Sequence, residues 1–176
     1  MKTILTVIIA LLCLAPGSRA QSSDENKVLS REEIQRALAP PAHTRGLVVP
    51  ERGLARRQAS QSDQSVNLNV PFELNSSALK PQASDQLKQL ELALNSESLA
   101  HNRFMVAGHT DAKGAAQYNK SLSLKRAQAV KSFLVSNGID PKRLDTVGYG
   151  SEHLLVPDKP DDASNRRVEI RVIPAP

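Results

Sequence analysis

A chain of 176 residues predicts one domain of ordinary size plus extensions. Its formal charge of +5 is modest, its basic and acidic residues interleave, and its aromatic side chains comprise three Phe and two Tyr with no Trp; this excludes a phosphate-tracking stripe or a base-stacking platform, and with them nucleic-acid binding. The single cysteine, Cys13, excludes an intramolecular disulfide.

Residues 1–20 have the pattern of a secretory leader: Lys2, a run from Ile4 to Ala15 that is apolar apart from Thr6, then Ser18-Arg19-Ala20 with small residues at the two positions a signal peptidase reads. Cleavage is expected after Ala20, which removes Lys2 and Arg19 and lowers the charge from +5 to +3. The run is shorter than the roughly 20 apolar residues of a transmembrane helix. Acylation on Cys13 is disfavoured, because Leu12 stands where a lipoprotein signal has Gly, Ala or Ser.

Residues 21–65 are rich in Ser, Gln, Ala, Pro and Arg, the composition of a linker. One short helix is predicted near residues 30–38. Ser30 and Glu33 form a capping box, Ile34, Ala37 and Leu38 give one apolar stripe, and Pro40-Pro41 ends it. So short a helix is marginal alone and is expected to dock on something. The favoured expectation is a weak flanking helix in a flexible linker, the alternative a handle for a partner protein.

From Val66 the pattern changes. Val66, Leu68 and Val70 alternate with Asn67 and Asn69 as in a strand with one buried face. Pro81 then opens a helix carrying Leu87, Leu90 and Leu94, which ends at Asn95-Ser96. Phe104 to Ala107 predict a central strand running into Gly108-His109-Thr110-Asp111. A second long helix spans Ala115 to Ser136, with an apolar stripe of Tyr118, Leu122, Ala129 and Phe133 and a stop at Asn137-Gly138. A third strand lies at Leu144 to Tyr149. A fourth, from Arg167 to Ile173, sets Val168, Ile170 and Val172 against Arg167, Glu169 and Arg171. Strand–helix–strand units of this kind give a sheet with both helices on one face.

Asp111 follows the carboxyl end of the central strand, where a crevice forms and a carboxylate can hold an ammonium group. The plainer role for such an Asp is to cap the next helix. Arg126 is four residues after Leu122, so helical spacing turns it to the packed side, where it needs an anion. A direct Asp111–Arg126 salt bridge is the alternative to a ligand held between them. Asn119, two turns from Arg126 or about 10 Å by helical rise, is expected to line the same groove. Arg166 is in phase with Val168 and Ile170 and is expected to point inward, with Arg167 exposed. His109 is read as a structural residue. No metal, cofactor or enzymatic acid/base pair is expected.

Gly108-His109-Thr110-Asp111, Tyr118-Asn119, Leu122-Ser123, Arg126-Ala127, Gly148-Tyr149-Gly150 and Asn165-Arg166-Arg167-Val168 occur in a fixed order that resembles the OmpA-like C-terminal domain, the peptidoglycan-binding module of outer-membrane porins, peptidoglycan-associated lipoproteins and flagellar stator proteins. The resemblance covers residues 66–173. It implies an α+β fold of β-α-β-α-β-β order, a mixed sheet with helices packed on one face, and no β-barrel. It also implies noncovalent binding of peptidoglycan through diaminopimelate, with Asp111 on the side-chain amine and Arg126 on the carboxylate. Thr110, Asn119, Arg166 and Asn75 take further ligand contacts by the same resemblance. The expected setting is the periplasm, at the cell wall and outer membrane, with residues 21–65 tethering an envelope partner. Where the family carries Glu-Gly-Arg before Asn-Arg-Arg, this chain has Lys159-Pro160-Asp161-Asp162-Ala163-Ser164. That departure motivates two alternatives: a preference for amidated diaminopimelate, and an assembly subunit that docks or dimerises without binding peptidoglycan.

Overall fold

The computed structural model describes residues 27–40 and 64–174. The expected leader, Cys13 and most of the expected linker lie outside the described residues. Within them the order is α1 (Arg31–Leu38), β1 (Ser65–Leu68), α2 (Ala83–Leu94), β2 (Arg103–His109), α3 (Ala116–Ser136), β3 (Leu144–Gly150) and β4 (Val168–Ile173), with 3₁₀ turns at Pro141–Arg143 and Ala163–Asn165. The strands form one sheet in the order β1-β4-β2-β3, β4 antiparallel to both neighbours and β2 parallel to β3. A parallel pair needs a crossover, and α3 supplies it. The fold is the expected α+β arrangement.

Alternation along the strands decides which face the helices cover. Val66 pairs with Ile170 and Leu68 with Val168, while Phe104 lies between Leu144 and Val172. All are buried on one face, under Leu87, Leu90 and Leu94 of α2 and Ala127, Val130 and Leu134 of α3. The opposite face carries no helix and displays Met105, Tyr149, Glu169 and Arg171.

The buried side of α3 differs from the expected one. It consists of Asn119, Ser123, Ala127, Val130 and Leu134, and Tyr118 is 49% exposed. The cause lies in the sheet: a Cβ on Gly108 would overlap the Ser123 carbonyl, and one on Gly148 would overlap the backbone of Leu124 and Lys120. Two glycines in adjacent strands let the helix approach closely, and only small side chains fit between. A stripe chosen by apolarity alone therefore lands one residue away from the contact face.

Residues 30–38 also correct an expectation. The Ser30–Glu33 capping box forms in full, but α1 is no loose flanking helix. Ile34 and Leu38 are fully buried in the common core. The Gln86 amide of α2 is bonded to Leu29 at both ends, accepting from its N–H at 2.8 Å and donating to its carbonyl at 3.4 Å, and Gln89 Oε1 accepts from the Arg31 N–H. A helix too short to stand alone is stable here because its one apolar stripe is covered.

Candidate functional site

The end of β2 creates the site. The register of β2 on β3 shifts between Gly108 and His109, so that Gly108 pairs with Gly148 but His109 with Gly150. Such a bulge bends the strand as it leaves the sheet. Thr110 and Asp111 follow at once, the Thr110 N–H donating to the Gly150 carbonyl. Both are buried, and the Thr110 hydroxyl has no hydrogen-bond partner among the described residues.

Asp111 does not pair with Arg126. Its Oδ2 accepts from Arg166 Nη1 at 2.9 Å, and its Oδ1 accepts from the Lys113 N–H at 3.3 Å. The Arg166 side chain is 46% exposed, so the expected inward orientation fails. Arg166 belongs to the end of the 3₁₀ turn at Ala163–Asn165, and the phase of β4 begins only at Val168. Arg167 is half-buried, donating from Nε to Asn67 Oδ1 and from Nη2 to the His153 carbonyl.

Arg126 is held by neutral groups. Its Nε donates to the Ser76 carbonyl at 3.0 Å, and its guanidinium lies 5.0 Å from the centre of the Phe72 ring. It forms no ion pair among the described residues. Burial, and then repulsion from Arg166, lower its pKa. Together with Phe72, Arg166, Arg167 and Leu155 it lines a groove of about 600 Å³. Three guanidiniums and, among the described residues, no carboxylate line that groove, with Asp111 beside it on Arg166; an anionic ligand group would neutralise this excess of positive charge.

Asn119 serves this site from behind. Its amide nitrogen donates to the carbonyls of Lys113 at 2.9 Å and Asp111 at 3.4 Å, which fixes the loop carrying Asp111. Asn75, exposed and at φ 50°, turns the β1–α2 connection, and its carbonyl accepts from the Tyr118 hydroxyl. That connection brings Ser76 and Phe72 to Arg126.

Two contributors escaped the sequence reasoning. Phe72 lies between the first predicted strand and the helix opened by Pro81, where no motif marks it. Asn165 organises the divergent loop, donating to the carbonyls of Lys159 and Pro160 and accepting from the Val156 N–H. The Pro160 carbonyl in turn accepts from the Ala112 N–H. The altered residues thus form an ordered wall beside Asp111, and Asp162 caps the turn by accepting from the Ser164 N–H.

A model of the OmpA family, matched over residues 71–167, spans more than half of the chain. Over 102 residues the chain is 38% identical to the peptidoglycan-associated lipoprotein of Pseudomonas putida, covering 57% of this chain and 60% of that protein. Over 112 residues it is 38% identical to outer membrane protein A of Bordetella avium, covering 61% and 55%. The chain thus spans less than two-thirds of the length of these relatives. The fold resembles the OmpA-like domain of FopA1 from Francisella tularensis, with a TM-score of 0.54, 23% identity, and coverage of 64% of this chain and 77% of that one.

Proposed function

The chain belongs to the OmpA family, and on that footing we propose that it binds peptidoglycan noncovalently and thereby anchors an envelope partner to the cell wall. One observation carries the proposal: Arg126 is half-buried without an ion pair among the described residues, in a groove that it lines with Arg166 and Arg167, and Asp111 beside the groove holds the part-exposed Arg166. Arg166 is the exposed partner of that pair, its side chain 46% exposed against 12% for Asp111, so a ligand cation can take its place. Diaminopimelate brings an ammonium for Asp111 and a carboxylate for Arg126 and Arg166, so one ligand satisfies all three groups. Thr110 lies beside Asp111, its buried hydroxyl without a hydrogen-bond partner among the described residues, Asn119 holds their loop, and the turn at Asn75 positions the partners of Arg126. The role is binding, with no chemical step. The setting is the periplasm at the cell wall and outer membrane, residues 1–20 act as the leader, and the segment after it connects to the partner.

Co-sedimentation with diaminopimelate-type sacculi tests this. Residues 21–176 should pellet, and Asp111→Ala and Arg126→Ala proteins that retain their circular dichroism should lose at least about tenfold in retention, the consequence of deleting one partner of a charge-assisted contact. Wild-type protein that stays in the supernatant would overturn the proposal.

A further inference from the structure

The helix-free sheet face carries a second cavity, of about 540 Å³, which the groove does not include. Its floor is the strand surface: Glu169 and Arg171 of β4, and Tyr149 of β3. Its rim is the loop that follows β3, with His153 set edge-on to the Tyr149 ring at 4.7 Å between centroids. Tyr149 is half-exposed and His153 exposed. The two rings therefore form an accessible ledge with an apolar surface and polar edges.

The polar groups beside the ledge are fixed. Arg171 donates from Nε and Nη2 to Glu169 Oε1, at 3.2 and 2.7 Å. Glu169 Oε2 lies 3.3 Å from His109 Nε2, with the imidazole almost sealed from solvent. With the carboxylate balanced by its own neighbours, the cavity has no need of a ligand charge. Planar hydrogen-bonding groups held rigidly next to an aromatic surface suit a neutral, polyhydroxylated ring, which offers C–H groups to the ledge and hydroxyl or acetamido groups to the Arg171 and His153 edges.

The two cavities adjoin, with His109, Leu155 and Arg167 in the walls of both. In peptidoglycan the diaminopimelate is joined to the amino sugar through two residues of peptide and a lactyl group, a reach of roughly 10 Å. The geometry points to a saccharide subsite on the sheet face, in which Tyr149, His153 and Arg171 hold the N-acetylated amino sugar of the strand whose stem peptide occupies the groove. This inference rests on the proposed function of the groove.

Binding of the full chain to two probes separates the ideas: a diaminopimelate-containing stem tripeptide, and the same peptide on its N-acetylglucosaminyl–N-acetylmuramyl disaccharide. The disaccharide form should bind about tenfold more tightly, the scale of one good aromatic contact with its hydrogen bonds. His153→Ala and Tyr149→Ala should abolish that increment and leave peptide affinity unchanged. The exposed His153 makes the first variant safe should the second fail to fold. Equal affinity of the wild type for both probes, or equal losses on both in the variants, would overturn the saccharide subsite alone. Binding of the disaccharide form with no detectable binding of the peptide would overturn the groove reading and leave the subsite standing. If neither probe binds, both fall.

Discussion

At the scale of single residues, the site depends on which charges already have partners. Asp111 spends its carboxylate on Arg166 and on the Lys113 amide, while Arg126 rests on a carbonyl and a ring. The types and rough placement of these residues were legible in the sequence, because a carboxylate after a strand and an arginine at helical spacing each imply a crevice. Their pairing was not legible, because Arg166 leaves strand phase inside a 3₁₀ turn that Asp162 and Asn165 impose. Glu169 shows how far strand phase alone reaches. Alternation sends it to the open face, yet it is only 6% exposed, with His109 and Arg171 closing over it. The nearby His109 first, and then Arg171, outweigh burial and lower its pKa from 4.5 to about 2. A depressed carboxylate stabilises the fold fully above its unfolded pKa, and that contribution is lost as pH falls through the folded value. Glu169→Gln should therefore cost on the order of 2 kcal/mol near pH 6, and the gap from wild type should close as pH falls from about 4.5 toward 2. Urea denaturation across that range reads the effect; a gap that stays constant with pH would remove the assigned cause.

Between elements, close approach and burial set the outcome. The packing of α3 on β2 and β3 depends on the absence of side chains at Gly108 and Gly148. Gly108→Ala should cost about 3 kcal/mol by overpacking, because the atom it meets is backbone and cannot rotate away. A thermal melt checks this, and a variant as stable as wild type would show that the helix can shift without penalty. The limits of α2, α3 and β3 could be read from Leu spacing, Asn137-Gly138 and alternation. The buried face of α3 could not, since Asn119 and Ser123 are polar and nothing local reveals the glycines they meet. That α1 needs a surface to dock on was legible in its shortness; which surface was hidden, because its partners lie on α2 about 50 residues away: Gln86 bonds Leu29 across 57 residues of sequence. Leu38→Ala should destabilise the whole protein by about 2–5 kcal/mol, whereas a helix loose in a linker would lose nothing. Chemical denaturation followed by far-ultraviolet circular dichroism distinguishes the two.

Across the whole molecule, the two faces of the sheet have different duties. One is closed by α2 and α3 and supplies the core; the other, without a helix, keeps Tyr149 and Arg171 partly accessible beside the groove and buries Glu169 and His109. Hydrogen exchange should find the amides of α1 protected to the same degree as those of β2, as expected if residues 27–40 and 64–174 open together. Early exchange confined to α1 would show instead that it is a separate, weaker unit.

The docking of α1 also sets how the molecule responds to force. In a protein held to the wall through its groove and to a partner through its N-terminal segment, tension enters at α1, before it reaches any strand. The first contacts to bear the load are the seats of Ile34 and Leu38 and the Gln86 bonds to Leu29. Their rupture frees the 8 residues of α1, Arg31–Leu38, roughly 27 Å of contour at about 3.4 Å per residue, while the sheet and the groove stay folded. A sudden strain on the envelope would thus be met by slack paid out at one helix, with the grip on the wall intact.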